Sequence, residues 1–304
     1  MNKHISRTKR SFYHPRRLVG IVIITIVGYV IFSALLMTYT VIDKRRAEDN
    51  LRETAAQQQK DFNALSNEQK AVKKAEAFLD NSIAVITPGE RLFLSYLQRK
   101  FDLQQSLGAD EIPIVFPQST DGSFQEADYL ARIAYPERLF TATPGDTIQG
   151  GARTNVYSAN CDILGLPSDY WQTMRQGYEA GGYTLTHVVL AITFMRDNGC
   201  EIPAVGNELF GLATQGMIAL MDDPASTYDL RYEVVAFLQM SGQRELVKKT
   251  WIEEIVTNQR EDGSWVSVNG DNRPSAHTTI LGLWALLEHT NPDEPYEPLI
   301  RRPS

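Results

Sequence analysis

Two histidines each open a stretch of sequence that otherwise reads as core. "YTLTHVVLAITFMRDN" carries His187 and "RPSAHTTILGLWALLEHT" carries His277. In each, small polar residues precede the ring and a nearly unbroken apolar run follows. His187 aligns with His277, Leu190 with Ile280, Ala191 with Leu281 and Phe194 with Trp284, at a spacing of 90 residues. A helix apolar almost all round must be covered on most of its faces, so both segments are expected to be inner helices. A ring at a helix start feels the positive end of the helix dipole and is disfavoured as imidazolium. A neutral imidazole suits a metal ligand or a proton donor. The plainer role is a ring that caps its own helix or bonds a loop carbonyl. As neighbours, the two helices would set both rings at one cavity mouth.

The run "YDLRYEVVAFLQ" adds Arg231, Tyr232 and Glu233. Arg231 has the planar fork that clamps a carboxylate or phosphate, and Tyr232 could assist His187 and His277 in proton transfer. A solvated outer-helix face explains the same three residues. Trp171, Tyr178, Tyr183, Phe194, Trp265 and Trp284 could line a pocket, although aromatics at helical spacing also describe simple core. His187, His277, Arg231 and Trp284 are therefore the candidate ligand-binding residues. His187, His277 and Tyr232 are the catalytic set if the chain is an enzyme. No Gly-rich phosphate loop, no Gly-x-Ser-x-Gly elbow and no His-Glu-x-x-His is present, so nucleotide-driven and serine-hydrolase chemistry have no support.

These residues need elements to hold them. Residues 168–179, 183–197, 205–222, 227–240, 244–260 and 275–289 read as helices joined by Gly, Asp and Pro breaks, and 87–103 as another begun by Thr-Pro. The chain shows no convincing strand run, and the predicted class is all-α. Residues 104–167, dense in Gly, Pro and Thr, are expected to form an irregular insertion with one short helix near 127–133. The Pro-rich tail from Asn291 is expected to be irregular.

The amino-terminal part is different. Residues 1–17 hold six bases and no acid, and residues 18–42 are 25 residues without a charge. About 20 apolar residues cross a bilayer, and this run is too long for a cleaved signal and lacks a small-x-small site. An uncleaved transmembrane helix over 18–42 is expected. The purely basic flank keeps residues 1–17 cytoplasmic, which places residues 43–304 in the periplasm or another extracytoplasmic space. Residues 43–86 favour helix and form a stalk, split by a Ser66–Gln69 capping box and with its second half expected to dock on the domain. Its seven-residue seam includes Gln58, Gln69 and Glu76, which is weak for a self-standing coiled coil and leaves homodimerisation through the stalk as an alternative. Beyond residue 17 the chain carries 24 Lys and Arg against 37 Asp and Glu, which argues against nucleic acid as a partner. Cys161 and Cys200 lie in the exported part, where a disulfide is the first reading. Free thiols and metal ligation are the alternatives.

"WIEEIVTNQREDGSW" resembles the Gln-Trp repeat of the α/α-toroid families, which include terpenoid cyclases and protein prenyltransferase β subunits. Gln259, Gly263 and Trp265 match the repeat, and His277 corresponds to the prenyltransferase histidine that binds zinc at an inner-helix start. The resemblance implies helical hairpins arranged in a ring, complete or partial. It departs from those families in activity. The Asp-x-Asp-Asp acid motif is missing, and Cys161-Asp162 runs in the reverse order to the Asp-x-Cys ligand pair. The domain over 87–304 is thus expected to bind a lipid-like ligand, an envelope glycan or a protein partner, with no cofactor. A glycan-active lyase or hydrolase using His187 and His277 is the alternative, and a zinc-dependent transferase the third reading.

Overall fold

The computed structural model describes residues 59–82, 86–103, 126–138 and 150–301, with a few further positions between 46 and 57. Residues 1–17, the expected span at 18–42 and most of 104–149 lie outside the described residues. Among the described residues no helix is long and apolar enough to cross a membrane. The chain divides into two units, Met1–Ala64 and Leu65–Ser304. In the first, residues 59–64 are helical.

The second unit is built from helices, and among its described residues the only β contact is an isolated bridge between Trp265 and Ser275. The class is all-α, as predicted. Its elements are α1 (Asn67–Ser82), α2 (Pro88–Phe101), α3 (Glu126–Tyr129), α4 (Gly150–Ala159), α5 (Cys161–Leu164), α6 (Tyr170–Ala180), α7 (Gly182–Asp197), α8 (Ala204–Asp222), α9 (Tyr228–Met240), α10 (Lys249–Thr257) and α11 (Ala276–Thr290). Short 3-10 turns follow α3 at Ala131–Ile133 and precede α10 at Arg244–Leu246. That second turn shortens the helix expected over 244–260.

Burial sorts the helices into two layers. α9 buries Tyr232–Met240 without a break and α11 buries Thr278–Glu288, whereas α8 and α10 bury single stripes such as Leu209, Ala213 and Met217 or Trp251, Ile252 and Ile255. A helix covered on all sides lies inside, and one with a single apolar stripe lies outside. Contacts close the inner layer into a cycle: α4 packs on α7, α7 on α9, α9 on α11, α11 on α2, α2 on α3, and α3 on α4. α6, α8, α10 and α1 lie against the outside of the cycle. Sequence order alternates outer and inner from α6 to α11.

Helix starts are fixed by local polar groups. Thr87 and Glu90 form a reciprocal capping box at α2 with Pro88 in its first turn, Thr227 accepts from Leu230 N, and Ser275 accepts from Thr278 N. Ser66 and Gln69 exchange the same pair of bonds before α1. α1 belongs to this compact unit, with Ala71, Val72, Ala75 and Leu79 buried. The second half of the stalk expected over 43–86 thus docks on the packed body, in line with expectation.

The insertion expected to be irregular over 104–167 contains α4 and α5. α4 escaped a hydropathy reading because its buried residues include Thr154, Asn155 and Ser158. Several polar groups on and beside α4 find partners inside: Ser158 Oγ donates to Thr154 O at 2.6 Å, Asn160 Nδ2 to Tyr129 O at 2.9 Å, and Asn198 Nδ2 to Ser158 O at 2.9 Å. Hydrogen bonding removes the penalty that makes buried polar residues rare. Cys161 and Cys200 form a disulfide that ties α5 to the end of α7. The tail after α11 has no helix yet is seated: Leu299 and Ile300 are fully buried, and Asp197 accepts from Tyr296 Oη at 2.5 Å and from Leu299 N at 2.7 Å.

The Gln-Trp motif fastens α10 and its following turn to α1. Gln259 Nε2 donates to Ala71 O at 2.8 Å and to Gly263 O at 3.0 Å. Trp265 is fully buried and its Nε1 donates to Ile255 O at 2.7 Å. Gly263 has φ of 88°, and a Cβ there would sit 2.1 Å from Lys74 O. Gly263→Ala is expected to cost about 2–4 kcal/mol in a denaturant melt. Gly270→Ala, where φ is 85° but nothing lies within 4 Å, is expected to cost only about 1 kcal/mol. Equal losses would mean that the approach to α1 is not tight.

Candidate functional site

Residues of α2, α7, α9 and α11 converge with α3 and α4 on a cavity of about 400 Å³. Its apolar wall is made by Phe93, Leu130, Leu190, Phe237, Ile280, Leu281 and Trp284. The Trp284 ring is the hub of that wall, 5.9 Å from Phe93 and 5.8 Å from Phe237 between centroids. The polar lining is His187, His277, Glu233, Asn155, Glu126, Asp128 and Glu90. Helical periodicity makes these stripes: Glu233 and Phe237 sit four apart on α9, and His277, Leu281 and Trp284 recur at helical spacing on α11.

The two imidazoles thus line one cavity, in different surroundings. His277 is 47% exposed at its edge, with Nε2 3.8 Å from Asp229 Oδ2. His187 lies deeper. Burial holds its ring pKa down at about 4, and the charge of His277 pushes the same way, so His187 is neutral at physiological pH. Asn155 Nδ2 lies 3.4 Å from His187 Nδ1. With the amide as donor, Nδ1 is the acceptor and the ring proton sits on Nε2.

Sequence reasoning passed over Glu233 as part of a solvated face. α9 is an inner helix, and Glu233 is only 3% exposed. Burial pushes its carboxyl up to about 8, with nearby Asp229 adding to the rise and the Thr186 hydrogen bond opposing it. Thr186 Oγ1 is within donating distance of both Tyr183 O, at 2.8 Å, and Glu233 Oε1. Burial also raises Glu126, against the pull of its hydrogen bond with Asn155. A signal for Glu233 does exist in the sequence. It is the sixth residue of α9, as His187 is the sixth of α7.

Other expected site residues lie elsewhere. Arg231 is committed to structure: Nε and Nη2 reach the Glu254 carboxylate at 2.8 and 2.5 Å, and Nη1 donates to Met221 O at 2.6 Å. It joins α9 to α10 and to the end of α8 and has no free face for a ligand. Tyr232 points away from the cavity lining, stacked on Tyr228 and edge-on to Trp265. Of the aromatic set, Trp284 lines the cavity, while Phe194 and Trp265 are core and Tyr183 donates to Asp229 at 2.9 Å. Among the described residues no group of three or more His, Cys, Asp or Glu gathers as a metal cluster. Comparison with protein-family models, curated proteins and solved structures finds no match.

Glu233 and His187 give opposite pH slopes. An unfolded glutamate ionises near 4.5, whereas Glu233 holds its proton to about 8. Its contribution to stability is full below 4.5 and is lost as pH rises to about 8. His187, lowered from 6.5 to about 4, contributes fully above 6.5 and loses that contribution as pH falls to about 4. The two offset each other between 4.5 and 6.5, and Glu233 acts without that offset between 6.5 and 8. Wild type is expected to lose about 1.4 kcal/mol per pH unit in that upper window. Denaturant melts of Glu233→Gln should be nearly flat there. A wild-type profile as flat as the variant's would show that Glu233 is ionised in the folded state.

Proposed function

We propose that this chain is a single-pass membrane protein whose extracytoplasmic helical body binds a lipid-like ligand. The observation that carries the reading is the cavity itself, with a mainly apolar wall and a smaller polar lining around His187, His277 and Glu233. A volume of about 400 Å³ is in the range of small-molecule pockets. The alternation of outer and inner helices and the closed cycle of inner contacts support an α/α-toroid-like architecture. The apolar run at 18–42 with its basic flank supports the anchor and its orientation. The Cys161–Cys200 disulfide favours an oxidising compartment.

Glu233 favours one second reading, a glycan-active enzyme. A carboxyl that keeps its proton near neutrality beside a neutral imidazole is suited to donate that proton to a leaving group. The wall argues for binding first, because Phe93, Leu190, Phe237, Ile280 and Leu281 offer a sugar's hydroxyls no partners.

The binding reading is tested with the full-length protein in lipid nanodiscs and the fluorescent hydrophobe N-phenyl-1-naphthylamine. Saturable binding of one probe per chain is expected, with energy transfer from Trp284. Leu190→Trp, which fills the cavity from α7, should weaken it by tenfold or more. Probe uptake that is equal in both proteins would remove the cavity as a binding site.

A further inference from the structure

The cavity's polar lining is chemically one-sided. Among the described residues that line it there are four carboxyl groups and no lysine or arginine. Two of the four are already engaged. The Glu90 carboxylate accepts from Thr87 N and Oγ1 in the α2 capping box, and Asp128 faces Arg138 at 3.7 Å. Glu126 and Glu233 are met only by neutral groups, Asn155 and Thr186 respectively. Burial dominates the environment of both, and none of the described lysines or arginines acts on either.

The unused hydrogen-bonding capacity is also one-sided. Thr186 engages Oε1 of Glu233, which leaves its second oxygen, and Asn155 Oδ1 is buried at the cavity wall without a partner. These are acceptors. A complementary ligand brings donors and positive charge, and an ammonium group brings both. The aromatic faces of Phe93, Phe237 and Trp284 attract a cation in the same place.

We propose that the cavity accepts an apolar amine, its ammonium group met by the carboxyls of Glu233 and Glu126 and its hydrocarbon body by the wall around Trp284. The assignment rests on the binding reading above and names the ligand's head group. An ammonium held there would favour the ionised form of both carboxyls, which burial opposes. A neutral alcohol would satisfy one or two acceptors and leave both acids uncompensated.

The competing occupant is an anion. Four inner helices direct their amino-terminal ends toward this cavity, and helix starts favour negative charge. That capacity is largely taken up within the chain. Thr87 and Glu90 serve α2, Thr227 serves α9 and Ser275 serves α11. The dipole's influence fades beyond the first turn, and Glu233 lies past the first turn of α9.

The test is a head-group series on one tail: n-octylamine, 1-octanol and octanoate, titrated by calorimetry into full-length protein in nanodiscs. Nanodiscs carrying the Leu190→Trp protein supply the background for partition into lipid. Octylamine is expected to bind at least tenfold more tightly than either of the others. That preference should collapse to less than threefold in Glu233→Gln, with Glu126→Gln as a second variant. The wild-type series decides the matter even if a variant fails to fold. Octanol or octanoate binding as tightly as the amine overturns the amine assignment and leaves the binding reading in place. Binding by none of the three removes both.

Discussion

One close approach seats α1 on the turn that follows α10. The backbone of Gly263 lies against the carbonyl of Lys74, in a space where a Cβ would come within 2.1 Å. Gln259 secures the contact from the side by donating to Ala71 O on α1 and Gly263 O in the turn. α1 can therefore lie across α11 and bury Ala71, Val72, Ala75 and Leu79 there. α11 also supplies Ile280, Leu281 and Trp284 to the cavity. An inner helix apolar on every face needs cover on its outside before it can offer a wall on its inside. The seat of α1 on the turn is thus a condition for the cavity.

Much of this architecture could be read from residue types alone, and the exceptions share a cause. α7 and α11 were legible because unbroken apolar runs must be enclosed, and the Gln259-Gly263-Trp265 spacing was legible because each residue has a local task. Ser66 with Gln69 and Thr87 with Pro88 marked helix starts for the same reason. α4 was not legible. Its buried face is written in Thr154, Asn155 and Ser158, and their partners are residues distant in sequence such as Tyr170 and Asn198. Glu233 was missed by the same logic, since a glutamate in "LRYEVV" reads as solvated until its helix is known to be enclosed. Arg231 misled in the other direction, because nothing local announces its bidentate pairing with Glu254. Hydropathy describes single residues, whereas burial of a polar group is decided by a partner elsewhere in the chain.

The disulfide shapes the site through that same polar helix. Cys161 begins α5 directly after α4, and its bond to Cys200 fixes this junction to the end of α7. Arg132 strengthens it, fully buried and bidentate to Asp162 at 2.7 and 3.0 Å, with a further bond to Ala159 O. α4 carries Asn155 and α7 carries His187, so the covalent link and the ion pair help set the 3.4 Å separation of the two side chains. Loss of either would act on the polar corner of the cavity as well as on the fold.

The far end of α11 shows how this chain treats a buried carboxylate that has no ligand to meet. Glu288 is 1% exposed, and Lys100 Nζ lies 2.5 Å from its Oε1 while an Arg244 Nη reaches Oε2 at 3.1 Å. Trp284 Nε1 lies 3.3 Å from the same carboxylate. Leaving such a charge uncompensated would cost several kcal/mol, and two cations and an indole remove that cost. Trp284 spans the difference, with Glu288 at its nitrogen and the cavity at its ring face. Glu288 and the cavity carboxyls are thus contacts of neighbouring inner helices in one ring, buried to a similar degree at Glu288 and Glu233. A fold that supplies Lys100 and Arg244 to one carboxylate has the means to neutralise another. At the cavity end none of the described bases does so for Glu233 or Glu126, and burial keeps Glu233 protonated near neutrality in consequence. Burial raises the Glu126 carboxyl in the same direction, opposed by its hydrogen bond with Asn155.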